Sequence, residues 1–131
     1  MVEVNLGRDK YFTKIQYKKH TFHADEPADL GGTDKAADPY TLLLGSLGAC
    51  SAITIRMYAD RKEWDLESIE IHLEMKVTKD ENKNTITQIN RKIRFQGDLD
   101  EKQHQRLLKI ADTCPVARVL EGNVGILTEG D

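Results

Sequence analysis

Residues 38–62, DPYTLLLGSLGACSAITIRMYADRK, decide the fold of this chain. Asp38 is a good N-cap, and Pro39 suits the first helical position, where a missing N–H leaves nothing unpaired. A helix is therefore predicted from here to about Lys62, roughly six turns. From Leu42 to Ile55 it is apolar on every side, the pattern of a central, buried helix. Gly45, Ser46, Gly48, Ala49, Ser51 and Ala52 are small residues, several of them poor helix formers, so the close approach of another helix or sheet is expected. The apolar run is shorter than the ~20 residues that span a bilayer and ends at Arg56, so it reads as core and not as a membrane segment. Arg56, Arg61 and Lys62 bring cations toward the negative end of the helix dipole. A helix apolar all round is hard to wrap in one small chain. That predicts a homodimer in which both subunits cover two such helices.

Outward from the helix, the pattern changes to strands. Residues 2–7 alternate weakly, Gly7–Lys10 is a turn, and Tyr11–Tyr17 returns the chain. Lys18-Lys19-His20 is a polar connection to a short third strand at residues 21–24. Residues 25–38, broken by Pro27, Gly31 and Gly32, form a loop. On the other side, Ser68–Thr78 alternates cleanly, with Ile69, Ile71, Leu73, Met75 and Val77 on one face and Glu70, His72, Glu74 and Lys76 on the other. This is a half-buried antiparallel strand. A polar loop at 79–85 leads to a returning strand at 86–95, with Ile93 and Phe95 in register. Asp98 is expected to open a second helix over about 100–113, with Glu101 in a box-like cap. Cys114-Pro115 interrupts it, residues 115–120 form a short helical turn stopped by Gly122, and 125–128 read as a last strand. The predicted order β-β-(β)-α-β-β-α-β keeps hairpins and helices apart, which is α+β organisation in a single domain over 1–131.

Composition removes several function classes. The chain has 131 residues, is 39% hydrophobic and 31% charged, and carries a net charge of −3, so a basic nucleic-acid footprint is not expected. Two cysteines are too few for a disulfide-stapled secreted domain. The opening residues MVEVNLGRDK lack the apolar centre of a signal peptide. A cytoplasmic address with reduced thiols is the expectation.

The chemistry therefore turns on Cys50 and Cys114. Cys50 sits mid-helix among small and apolar residues, where an inert core thiol is the ordinary outcome. Cys114 stands at the N-cap of a short helix, a position that lowers thiol pKa, so local physics makes it the more reactive of the two. The two are 64 positions apart. If their Cα atoms come within the roughly 4.4–6.8 Å a bridge requires, two thiols suffice for a peroxidase cycle without metal or organic cofactor. A catalytic thiolate needs a cation, and Arg8, Arg56, Arg61 and Arg118 are the choices. His20, His23, His72 and His104 are scattered, with neither CxxC nor HExxH to suggest zinc. No GxSxG marks a serine hydrolase.

DPYTLLLGSLGAC at 38–50, continued by SAITIRMYADRKEW, resembles the OsmC/Ohr family of thiol-dependent peroxidases. So do ADEPADLGG upstream and GDLDEKQHQRLLKIADTCPVARVLEG downstream. The resemblance implies an α+β intertwined homodimer with long central helices flanked by antiparallel sheets and with active sites at the dimer interface. It implies that Cys50 is the peroxidatic nucleophile and Cys114 the resolving thiol, reversing the local preference. It further implies an organic hydroperoxide substrate, an external dithiol reductant and a role in stress response. The turn Gly7-Arg8-Asp9 resembles the family's Arg-bearing turn, which makes Arg8 the activating cation. The family's Glu shortly after the helix-start Pro is absent: Tyr40-Thr41 stand there, with Tyr40 or Glu26 as candidate substitutes. A carboxylate would orient the Arg by a charge-assisted hydrogen bond. Its loss keeps open a second possibility, a non-enzymatic redox-sensing or small-ligand-binding dimer.

Overall fold

Tight turns between short strands build the start of the chain. In the computed structural model, which describes residues 1–130, β1 (Glu3–Asn5), β2 (Thr13–Tyr17) and β3 (His20–Ala24) form an antiparallel sheet in that order. β2 and β3 pair from Thr13↔Ala24 to Tyr17↔His20, leaving Lys18 and Lys19 as a two-residue loop. Lys18 adopts φ 52°, the positive value that tight hairpin loops demand. His20, expected in the connection, belongs to the strand because it completes this register.

The following loop, with a 3₁₀ turn at Ala28–Leu30, is organised by Asp25. This buried carboxylate accepts from the Thr33 hydroxyl at 2.5 Å and from the amides of Glu26 (2.8 Å), Lys35 (3.2 Å) and Thr33 (3.3 Å). The Thr33 hydroxyl first, then the amides, outweigh burial and hold the carboxyl below its ordinary pKa. Gly32 is required here, since a Cβ would lie 1.8 Å from the Glu26 carbonyl oxygen.

The helix α1 (Pro39–Arg61) starts where its sequence predicts. The Asp38 carboxylate accepts from the Thr41 amide at 2.9 Å and from its hydroxyl at 2.7 Å. With 23 residues the helix is long and apolar enough to cross a membrane by length and composition. Within one chain, only one stripe of the helix is covered. Leu47, Gly48, Ser51, Ile55 and Ala59 form one buried stripe, whereas Leu43, Ile53 and Met57 are exposed. A single chain of this size supplies packing for one face only.

The chain divides into two compact units, Met1–Gly45 and the part from Ser46 on. In the second, β4 (Asp65–Lys79) and β5 (Thr85–Asp98) make a long antiparallel hairpin. Gly97 has φ 139°, and a Cβ there would lie 2.0 Å from the Asp65 carbonyl oxygen, so only glycine allows the strands to close beside the irregular register at Leu66 and Ser68. Ile55 and Ala59 of α1 pack with Leu66 and with Leu107, Ile110 and Ala111, and partly buried Ile69, Ile93 and Phe95 close the core. Leu73 approaches Gly48 so closely that a Cβ there would stand 2.8 Å from its Cδ1, which explains one of the small residues.

The helix α2 (Glu101–Ala111) is capped by Asp100, not Asp98. Asp100 accepts from the Gln103 amide at 2.8 Å, and the Gln103 side chain accepts from the Asp100 amide at 2.9 Å. Asp98 is unavailable because it pairs with Asp65 as the last residue of β5. A short helix α3 (Pro115–Glu121) follows. The strand expected at 125–128 is not formed. Val124, Ile126 and Leu127 are exposed and belong to no ladder.

Candidate functional site

Elements far apart in sequence bring both sulfurs into one cluster. Cys114 is completely buried with Leu47 and Ala117, and Cys50, Leu73, Ile89 and Val116 pack against this core. Cys50 is partly exposed, and both thiols are free. Cys114 is the N-cap of α3, and its Sγ accepts from the Ala117 amide at 3.3 Å. Ser51, one residue after Cys50, has its Oγ 3.5 Å from Cys114 Sγ.

A guanidinium completes the cluster, and it comes from a residue that the sequence did not single out. Arg91 lies on β5 in the alternating set Ile89, Arg91, Ile93 and Phe95, all partly buried. Its Nη1 donates to Ser51 Oγ at 2.7 Å and to the Ala111 carbonyl at 3.1 Å, and its Nη2 donates to Asp112 Oδ1 at 2.7 Å. The cation thus meets the negative end of α2 and a carboxylate together, which offsets the cost of bringing a charge inward. The signal was present: extending the in-register pair Ile93 and Phe95 two and four positions back reaches Arg91 and Ile89.

These surroundings tune the buried thiol. Burial alone raises the Cys114 pKa, but the Ser51 hydroxyl, the Ala117 amide, the Cys50 side chain and the positive charge of Arg91 together outweigh it. The thiol therefore lies below its ordinary value.

Of the cations expected from sequence, Arg56, Arg61 and Arg118 make other contacts in the second unit, and Arg8 belongs to the N-terminal unit. Arg8 is exposed in the turn before β2, where its carbonyl accepts from the Lys10 amide at 2.9 Å within the N-terminal unit. Arg56 pairs with Asp60 at 3.3 Å and donates to the Glu67 carbonyl at 3.2 Å. Arg61 stands 5.7 Å from the centre of the Tyr58 ring, and Arg118 is exposed on α3. The candidate substitutes for the missing Glu, Tyr40 and Glu26, line one cleft of about 620 Å³ together with Tyr11, Pro27, Leu30 and Asp38. A second cleft, of about 470 Å³, adjoins the sulfur cluster and is bordered by Leu47, Ile89, Arg91, Asp112, Ala117 and Glu121.

Residues 32–129 match the family model described as OsmC-like protein. No curated protein matches the chain. Among solved structures, an OsmC-like protein from Mycoplasma pneumoniae superimposes with a TM-score of 0.79 at 17% identity, covering 93% of this chain and 86% of that one. A protein from Psychrobacter arcticus described in terms of osmotic stress induction and detoxification response gives a TM-score of 0.74 at 24% identity, over 89% of this chain and 85% of that one. An organic hydroperoxide resistance protein from Legionella pneumophila gives a TM-score of 0.69 at 20% identity, over 94% and 89%. At these identities the likeness is one of fold.

Proposed function

The chain belongs to the OsmC-like protein family, and on that premise we propose that it is a thiol-dependent peroxidase reducing organic hydroperoxides, working as a cytoplasmic homodimer. The observation that carries this reading is the packing of partly exposed Cys50 against buried Cys114, both free. The more accessible sulfur is the one a hydroperoxide can reach, which favours Cys50 as nucleophile over the locally better activated Cys114.

The cycle needs only the two thiols and an external dithiol. The Cys50 thiolate attacks the terminal oxygen of ROOH, the O–O bond breaks, and RO⁻ leaves and takes a proton to become the alcohol. Cys50 is left as sulfenic acid. The Cys114 thiolate attacks that sulfur, forming the Cys50–Cys114 bridge and releasing hydroxide, which is protonated to water. An external dithiol then reduces the bridge and is itself oxidised to a disulfide. Arg8 is assigned to Cys50 and to the developing oxyanion, from the turn that resembles the family's Arg-bearing turn. The apolar company of Cys50 favours an organic hydroperoxide over hydrogen peroxide.

The test is consumption of cumene hydroperoxide by the purified protein with a dithiol. Cys50→Ser is expected to abolish turnover, and Cys114→Ser to allow one oxidation without cycling. Turnover that survives Cys50→Ser overturns the assignment. A wild-type protein that forms a reversible bridge but does not cycle would favour the redox-sensing alternative, which the Tyr40-Thr41 pair in place of the family Glu motivates.

A further inference from the structure

Arg91 and Ser51 are inward-facing polar groups for which the peroxide-reducing steps have no use. Arg91 is held at three points: the Ser51 hydroxyl, the Ala111 carbonyl and the Asp112 carboxylate. Its side chain is 15% exposed, against 74% for Asp112. That arrangement fixes the guanidinium and aims one N–H at Ser51. Ser51 in turn stands between Arg91 and Cys114.

The Ser51 hydroxyl has one proton and two acceptors within reach. Its oxygen is 2.7 Å from the Leu47 carbonyl oxygen and 3.5 Å from Cys114 Sγ. While Cys114 is a thiol, its S–H can donate to Ser51 Oγ, and the hydroxyl proton serves Leu47. When Cys114 ionises, the hydroxyl needs only to rotate for its proton to meet the thiolate, while Arg91 continues to donate to the same oxygen. No heavy atom has to move. The groups facing the sulfur are Cys50 and Ser51 from α1, Arg91 from β5 and the Ala117 amide from α3, with Asp112 on the far side of the guanidinium.

We propose that Arg91 and Ser51 are positioning residues that stabilise the Cys114 thiolate and so make Cys114 the sulfur expelled when an external dithiol reduces a Cys50–Cys114 bridge. The proposal takes the bridge from the peroxidase reading, whereas the ionisation of Cys114 stands apart from it. In the reducing step one thiolate of the dithiol attacks Cys50 Sγ. The Cys50–Cys114 bond breaks, and its electron pair goes to Cys114 Sγ, which accepts from Ser51 and Ala117. The second thiol of the reductant, deprotonated, then attacks its own sulfur in the mixed disulfide, closes a ring and expels the Cys50 thiolate. The dithiol loses two electrons and two protons, and the bridge gains the two electrons. Two features favour this direction. Cys114 is completely buried, so an external thiolate has access only to Cys50. A leaving thiol of lower pKa departs faster. The lowered pKa of Cys114 agrees with this assignment.

The experiment has two arms. In the first, the full chain carrying ¹³Cβ-labelled cysteine is titrated in its reduced state, and each thiol is read by NMR. Cys114 is expected to ionise below the ordinary value of 9.0. Ser51→Ala should raise its midpoint by about one unit, because a hydrogen bond to a charged group is lost. Arg91→Lys, which keeps the charge but not the fork, should also raise it. In the second arm the bridge is formed with diamide, reduced briefly by a monothiol, quenched in acid and mapped. The adduct should sit on Cys50, and Ser51→Ala should slow bridge opening roughly threefold. An unchanged Cys114 titration in both variants, or an adduct on Cys114, overturns the proposal. Because diamide supplies the oxidation, neither arm depends on hydroperoxide turnover, and a failed peroxidase reading would be visible separately.

Discussion

Ile53 and Ile55 are the same residue, two positions apart on one helix, and they meet opposite fates. Ile55 is 0% exposed and sits at the centre of the core with Leu66 and Leu107, while Ile53 is 54% exposed. The difference teaches that all-round apolarity establishes a helix without saying what covers each side. The β4–β5 hairpin and α2 cover the stripe with Ser51 and Ile55. Leu43, Ile53 and Met57 are exposed, and the homodimer proposed above would cover them with a second copy.

Four substitutions break or sharpen that contrast. Ile53→Asp is expected to act most strongly, on association. Each subunit would lose a buried isoleucine, worth about 1.5–3 kcal/mol, so the dimer dissociation constant should rise about a hundredfold or more in sedimentation experiments. A variant that sediments like the wild type would mean that this face is not the interface. Ile55→Ala comes next. Deleting a fully buried side chain should lower unfolding free energy by about 2–5 kcal/mol in denaturant titrations. Arg56→Ala probes the border between the faces, where its guanidinium pairs with Asp60 and the Glu67 carbonyl. The side chain is 37% exposed, so a loss within about 1 kcal/mol is expected. Gly45→Ala is the subtlest test. A Cβ there meets nothing within 4 Å. On a bare face alanine should therefore stabilise the helix by roughly 0.5–1 kcal/mol, and weakened association instead would show a second chain passing there.

The pH dependence adds a check on the covered side. Cys114 has a folded pKa below its unfolded value, as for any acid that gains donors on folding. Its contribution to stability is therefore complete above the ordinary thiol value and is lost as pH falls through the lowered one. Ser51→Ala should flatten this rise in stability with pH, measured as thermal midpoints across the thiol range.

Much of the fold was legible because its signals are local. Asp38-Pro39 marked the start of α1, the alternation from Ile69 to Val77 marked β4, and Cys114-Pro115 marked the start of α3. Errors fell where a local signal competed with a distant partner. Asp98 looked like a helix cap but is held in the ladder by Asp65, and residues 125–128 read as a strand but have no neighbouring edge to pair with. Of the candidate site, both cysteines were legible as residue types and contexts. Arg91 is not legible locally, because a charged residue among polar neighbours reads as surface unless the strand's phase is followed back from Phe95.

The amino-acid order alone established the α+β organisation, the caps and the two thiols, because these depend on residues a few positions apart. Tertiary structure decided which stripe of α1 is covered, which sulfur is sealed away and which cation reaches it. The Arg91–Ser51 contact joins residues 40 positions apart, and the Ser51–Cys114 contact joins residues 63 apart. No periodicity encodes such meetings. They exist only once strand register and helix packing have been chosen together, since each depends on the whole set of surfaces that the chain buries.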